Sequence, residues 1–210
     1  MELHEALRTR RMTRAFTDAP VEPPLLDDML DQARRAPSAG NTQGTEFLVL
    51  DTPDLVDAYW SLTLPVEHRP AFPWPDLLRA PVLCIPLVDP TAYVRRYAEA
   101  DKVRTGLGES ADAWAVPYWF VDGGMVVQNL LLLAHAEGLG ALFFGLFDNE
   151  RVVLDHFEVP AHLRALGTVA IGHPAAQQRR SSSQHRQHKQ LPQLVHRGAY
   201  AERHRTEQPD

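Results

Sequence analysis

The apolar positions of this chain fall into short blocks whose spacing changes along its length. A first, short helix is predicted over roughly Leu3 to Arg8. From Pro24 to about Ala36, Leu25, Leu26, Met29, Leu30 and Ala33 share one stripe at helical spacing, and a proline stands where its missing N–H costs little. Pro37 marks the end of that helix, because the residue before a proline is kept out of the helical region. "EFLVL" at 46–50 and "VLCIPLV" at 82–88 are compact, β-rich apolar runs that predict buried strands. Between them Pro65, Pro70, Pro73, Pro75 and Pro81 interleave with Trp60, Phe72 and Trp74, which predicts an irregular covering segment, not a helix. Its aromatics either line a pocket or pack the segment down.

The most distinctive element runs from Trp119 to about Glu137, "WFVDGGMVVQNLLLLAHAE". It is apolar on nearly every side, so it belongs in a core or against another subunit. Asp122, Gln128, Asn129 and His135 interrupt it and argue against a membrane span. The turn "EGLG" leads into a strand "ALFFG", followed by a helix near Asn149 to Phe157 and a final strand "LGTVAIG". Helices and strands mix without regular alternation, which favours an α+β fold over a doubly wound sheet.

From Gln177 to Gln190, "QQRRSSSQHRQHKQ" has almost nothing to bury and reads as a loop or disordered segment. "LPQLVHRGAY" then regains apolar character, which fits a segment reaching for a partner subunit, with a floppy tail as the alternative. The expected organisation is one domain over 1–176 with a polar linker and extension over 177–210. The 210 residues, 44% hydrophobic and 23% charged, are those of an ordinary globular protein. No apolar run is long enough for a membrane span and the start lacks a secretion signal's apolar core, so a cytoplasmic location is expected. Net charge is −6, split into about −10 before Gln177 and +4 after it. An acidic body offers no broad basic face for nucleic acid. The single cysteine, Cys84, lies inside an apolar strand and reads as a small buried hydrophobe.

Most catalytic signatures are absent. "GLGALFFG" has the wrong glycine spacing for a dinucleotide-binding loop and follows a helix where that loop follows a strand. There is no P-loop, GxSxG elbow or CxxC pair. His185 and His188 lack a second ligand cluster, so no metal site is expected. Two stretches remain. "RRMTRAF", residues 10–16, sets three arginines in five positions and either decorates a solvated surface or grips an anion. "APSAGNTQG", residues 36–44, places Ser, Asn, Thr, Gln and two glycines after a helix end, where backbone and amides are free to bond a flat polar heterocycle.

Taken with "NLLLLAHAEGLGALFFGLFD", these stretches resemble the FMN-dependent nitroreductase family. "RRMTRAF" is similar to its N-terminal arginine motif, "RRAPSAGNTQ" to its helix-end loop, and the third stretch to its central helix and flavin-facing strand. The resemblance runs in order from residue 5 to about 174, with 53–118 poorly matched. It implies an α+β nitroreductase-like fold, a mixed central sheet flanked by helices, and an intertwined homodimer with two FMN sites at the interface. The apolar helix would then lie in the dimer core, and the C-terminal segment would wrap the partner.

The resemblance also implies roles. Arg10 and Arg11 would hold the FMN phosphate, beside Met12 where the family often has Ser. Arg14 would lie at the N1 and O2 edge of the flavin ring. There a charged hydrogen bond of about 1.5 to 3 kcal/mol specific to the reduced form would raise the potential by roughly 30 to 65 mV. Pro37, Ser38, Ala39 and Asn41 of the partner chain would border the ring and ribityl chain, with Gln43 nearby. Phe144, Gly145 and Leu146 would pass the N5 edge, Phe144 standing where some relatives are acidic. A late basic residue, Arg180, Arg186 or Lys189, would complete the phosphate site. Lys189 is the expected one, and Gln190 stands where relatives often carry Arg. The implied reaction passes a hydride from NADH or NADPH through FMN N5 to a nitroaromatic, quinone or other small acceptor, with no catalytic side chain required. The same scaffold supports dehalogenation and dehydrogenation, and a flavin-binding sensor or storage protein is the non-enzymatic alternative.

Overall fold

Val82–Val88 is buried at every position. A strand of that kind needs cover on both faces of its sheet. In the computed structural model, which describes residues 1–178 and 186–200, both faces are covered by helices. In chain order the elements are α1 (Leu3–Thr9), α2 (Pro23–Ala33), β1 (Thr45–Leu50), α3 (Pro53–Thr63), β2 (Val82–Val88), α4 (Pro90–Tyr97), α5 (Tyr118–Ala136), β3 (Gly140–Phe144), α6 (Glu150–His156), β4 (Arg164–Ala165), β5 (Thr168–Gly172) and α7 (Leu191–Leu194). The sheet order is β1-β2-β5-β3, with β4 also paired to β2. Each of these strand pairings is antiparallel. A bridge between Met12 and Ala141 supplies a parallel contact, so the sheet is mixed in sense and the fold is α+β.

Strand alternation divides the core. Leu83, Ile85 and Leu87 of β2 pack with Tyr59, Trp60, Leu77 and Leu154 on one face. Val82 and Cys84 pack with Leu26, Met29, Val126 and Leu130 on the other. The helices α2 and α5 therefore cover one face, while α3, α6 and the proline-rich segment cover the opposite one.

Several boundaries differ from the sequence expectation for local physical reasons. The second helix stops at Ala33, short of Ala36, because Ala36 precedes Pro37 and the chain unwinds through Arg34 and Arg35. The expected irregular segment contains 3-10 turns at Val66–Ala71 and Pro75–Arg79, short enough to accept its prolines. Its first part is not irregular: Trp60 lies in α3, which Pro53 begins and along which Val56, Tyr59 and Trp60 bury one stripe. A further helix beyond that expectation is α4, capped by Asp89, whose side chain accepts from Thr91 N–H at 2.8 Å. The final strand starts at Thr168, since Gly167 at φ +140° separates it from β4. Burial of α5 is one-sided: Val126, Val127, Leu130, Leu131 and Ala134 are buried, while Tyr118, Phe120 and Val121 are 39–44% exposed.

Among the described residues no helix is long and apolar enough to cross a membrane. Residues 1–178 form one unit and residues from Arg179 onward another. Within the second, α7 carries the capping box of Gln190 and Gln193 and leaves Leu191 and Leu194 exposed. Arg180 and His185 lie outside the described residues.

Candidate functional site

The arginine segment begins where α1 ends. Arg11 turns back on that helix end, donating from Nη1 to the carbonyls of Arg8 at 2.9 Å and Arg10 at 2.8 Å. This is the favourable place for a cation, because the last carbonyls of a helix lack partners. Arg10 behaves differently. Its Nη1 is buried and has no hydrogen-bond partner among the described residues. A buried donor left unpaired is costly and uncommon, and a bound anion would satisfy it.

Beyond Arg11 the chain lies along β3. Met12 bridges Ala141 and packs its side chain into the core, and Thr13 N–H donates to the Ala141 carbonyl at 2.9 Å. Gly140 permits the approach, since a Cβ there would stand 2.6 Å from the Thr13 side chain. Gln178 fixes the next residues by mimicking a backbone: its amide donates to Ala15 O at 2.7 Å, and its oxygen accepts from Arg14 N–H at 3.2 Å and Ala15 N–H at 3.3 Å. Arg14 is thereby held with its guanidinium 5.3 Å from the Trp74 ring centre, a cation–π contact.

Arg14 forms part of a cleft of about 350 Å³. The end of β3 and the turn after it, from Phe143 to Phe147, form one wall; Tyr59, Trp60 and Thr63 of α3 form another; Phe72 and Trp74 close it. Trp60 and Phe144 lie parallel, centres 5.9 Å apart and planes within 6°. Leu146 is buried and Gly145 half-buried, and a Cβ on Gly145 would meet the Phe147 ring at 2.7 Å. Phe147 itself is 85% exposed at φ +48°, a conformation that costs a non-glycine residue about 1–2 kcal/mol. Such a cleft has room for a flat, partly apolar group, with Arg14 the cation among its described lining residues.

The loop after α2 forms a second group on other elements. Pro37, Asn41 and Gln43 are exposed, while Ser38 and Ala39 are half-buried. Gly40, Asn41 and Gln43 have φ of +62°, +54° and +54°. Ser38 Oγ accepts from Gln43 N–H at 2.9 Å, and Arg96 Nε donates to Gly40 O at 2.8 Å. Asp122 of α5, 3% exposed, accepts from Ala39 N–H and from the Tyr93 hydroxyl, each at 2.8 Å.

Electrostatic perturbations fall on groups in and beside the cleft. Glu150 grips Arg164 through two bonds of 2.8 and 3.0 Å and accepts from Ala165 N–H at 3.0 Å. The Arg164 guanidinium holds its carboxyl below the usual carboxylate range and ties α6 to β4. Burial pushes Tyr59 up to about 12, and its hydroxyl stays protonated against Thr168 Oγ1 at 2.8 Å. Burial likewise raises Cys84 to about 12, leaving an inert thiol.

The structure therefore brings Arg14, Phe144, Gly145 and Leu146 to one cleft and sets Arg10 and Met12 on the same segment as Arg14. Pro37, Ser38, Ala39, Asn41 and Gln43 form the separate loop. Arg186 and Lys189 are exposed in the second unit, and Gln190 caps α7. Three contributors lie beyond what sequence patterns signal. In the sequence Asp122 is only an interruption of an apolar helix, Gln178 only one glutamine in a polar run, and Thr63 carries no signal at all.

The site thus combines an α+β sheet, a buried Arg10 nitrogen with no hydrogen-bond partner among the described residues, and an aromatic cleft that holds Arg14. The match to the nitroreductase family model spans residues 7–173, and the chain belongs to that family, a family of oxidoreductases. It is 27% identical over 179 residues to a protein of Methanothermobacter thermautotrophicus provisionally named an NADH dehydrogenase/NAD(P)H nitroreductase, covering 83% of this chain and 78% of that one. It is 29% identical over 195 residues to an NADH dehydrogenase of Thermus thermophilus, covering 83% and 88%. The fold is shared with a nitroreductase family protein of Streptococcus pneumoniae at TM-score 0.72 and 18% identity, covering 93% and 99%. It is also shared with a provisionally named nitroreductase of Desulfovibrio desulfuricans solved in complex with FMN, at TM-score 0.69 and 24% identity, covering 96% and 99%.

Proposed function

We propose that this chain is an FMN-dependent oxidoreductase that draws on NADH or NADPH and reduces a small planar acceptor such as a nitroaromatic or quinone. The observation that carries the reading is the unpaired, buried Arg10 nitrogen on the segment that delivers Arg14 to the aromatic cleft. These residues fit FMN, which combines a phosphate with a flat ring system. Arg10 would bind the phosphate, helped by Arg11. Arg14 would orient the polar edge of the ring, and Phe144, Gly145 and Leu146 would lie along its reactive edge. When bound, FMN supplies the centre that takes up a hydride and passes electrons onward.

The protein's own part is position and exclusion of water. The aromatic walls from Trp60, Phe72, Trp74 and Phe144 keep the cleft apolar, and Arg14 is its cation, so a ligand that gains negative charge is favoured there. The loop 37–43 would serve the site of a second copy. The outward apolar side chains of α5, Tyr118, Phe120 and Val121, support a homodimer, as do the exposed Leu191 and Leu194 of α7.

The test is the visible spectrum of the purified chain after addition of FMN and removal of the excess. One flavin retained per chain, lost in Arg10→Ala at unchanged thermal stability, is the expected result. Wild-type protein that retains no flavin would return the arginines to a solvated surface and remove the proposal. Turnover of NADH or NADPH with quinone and nitroaromatic acceptors then separates an enzyme from a flavin store.

A further inference from the structure

The loop 38–44 is conformationally expensive, with three residues of positive φ in four positions, two of them not glycine. Its shape is held from outside. Gly40 and Gly44 lie against the tyrosines of α4: a Cβ on Gly40 would meet the Tyr97 ring at 3.0 Å, and one on Gly44 the Tyr93 ring at 2.7 Å. At its downstream end, Gly44 O accepts from Asp89 N–H at 2.9 Å. At its upstream end stands Asp122, a buried carboxylate whose Oδ2 accepts from both the Ala39 N–H and the Tyr93 hydroxyl. Burial and the adjacent Asp122 carboxylate raise the Tyr93 pKa, so Tyr93 remains the donor. The side chain of Asp122 is thus immobilised by α4 and in turn holds the first residue of the loop's 3-10 turn.

From this geometry we infer that Asp122 is a positioning residue: fixed by Tyr93, it locks Ala39 and so sets the loop 38–44 in its binding shape before any flavin arrives. The inference rests on the reading that this loop borders FMN. Asp122 touches neither cofactor nor substrate in that reading. It acts through the backbone of Ala39. A preformed loop removes the ordering cost from flavin binding, so loss of the lock raises the Kd for FMN without damage to the sheet. The acceptor geometry matters here more than the charge, because both donors are neutral. An amide oxygen in the same place accepts both bonds.

The experiment uses full-length Asp122→Asn, Asp122→Ala and Tyr93→Phe proteins, with FMN as the titrant and amide hydrogen exchange of the flavin-free chain as the second readout. Asp122→Asn is expected to bind FMN within about threefold of wild type, whereas Asp122→Ala should weaken binding by about tenfold or more. In Asp122→Ala, exchange should quicken over residues 38–44 while β2 and the C-terminal half of α5 stay protected. Tyr93→Phe should lie between the two and decides the matter if the alanine variant does not fold. Unchanged FMN affinity and loop protection in the alanine variant would overturn the inference, as would exchange that rises equally throughout the chain. Either of those results in Tyr93→Phe would overturn it equally. Wild-type protein that binds no FMN refutes the functional reading instead, and the exchange pattern still shows whether Asp122 sets the loop.

Discussion

Gly140→Ala tests whether the close approach of the arginine segment to β3 governs the candidate site. The added Cβ would lie 2.6 Å from Thr13 Oγ1 and Cγ2 and 2.8 Å from Thr13 Cβ, where ordinary contact begins near 3.4 Å. Thr13 must therefore retreat by about 0.8 Å, enough to break the 2.9 Å bond from its N–H to Ala141 O. Overpacking of this kind costs about 1–3 kcal/mol and the lost hydrogen bond about 1 kcal/mol more. For a chain of this size that corresponds to a fall in Tm of roughly 5–15 °C by thermal melting. The displaced segment carries Arg10 and Arg14, so FMN affinity measured by fluorescence titration should fall by about tenfold or more. Thr13→Gly removes all three clashing atoms. Combined with Gly140→Ala it should restore more stability than the two single effects predict, a positive coupling of about 1 kcal/mol or more. A Gly140→Ala protein that melts and binds flavin like wild type would refute the reasoning, as would strict additivity in the double variant.

Two other perturbations probe the cleft's surroundings. Because the folded Glu150 carboxyl has a lowered pKa, its stabilising effect is present above the ordinary glutamate range, near pH 4.3, and is lost as pH falls through the folded value. Glu150→Gln should flatten the acid side of a plot of urea midpoint against pH, and an unchanged slope between about pH 5 and 3 would show that Glu150 does not contribute to it. Phe147→Asn replaces an exposed, left-handed phenylalanine with a residue that tolerates the conformation, so Tm should rise by about 2–4 °C. The same variant should raise KM for aromatic acceptors, and a lower Tm would show that the ring packs more than its exposure indicates.

Legibility in the sequence follows the strength of local patterning. β1, β2, β3 and the central helix are readable because apolar periodicity reports burial directly. The helices α3 and α4 are harder to read although each starts at a proline: the stripe of α3 ends in Trp60, one of the aromatics that with the following prolines signals irregular chain, and α4 buries only Tyr93. Asp122 shows a different limit. A polar residue in an apolar helix announces that something must satisfy it, but its partners lie 83 and 29 positions away, at Ala39 and Tyr93. Gln178 likewise acts on Ala15 at a separation of 163 residues, which no local window detects. The arginine cluster is legible as a group, and only the fold separates Arg10, with its unpaired nitrogen, from Arg11, which caps a helix.

The arginine segment rides on β3 and the end of the first unit, while the loop 38–44 is governed from α4 and α5. In a homodimer whose sites draw one part from each chain, injuries to these two parts are complementary. A chain crippled in its arginines and a chain crippled in its loop, each inactive alone, would on mixing assemble one whole site from their sound halves and one doubly broken site. A gene encoding such a protein thus admits partial rescue between two loss-of-function alleles, and the pairs of alleles that rescue one another map the boundary between the half-sites.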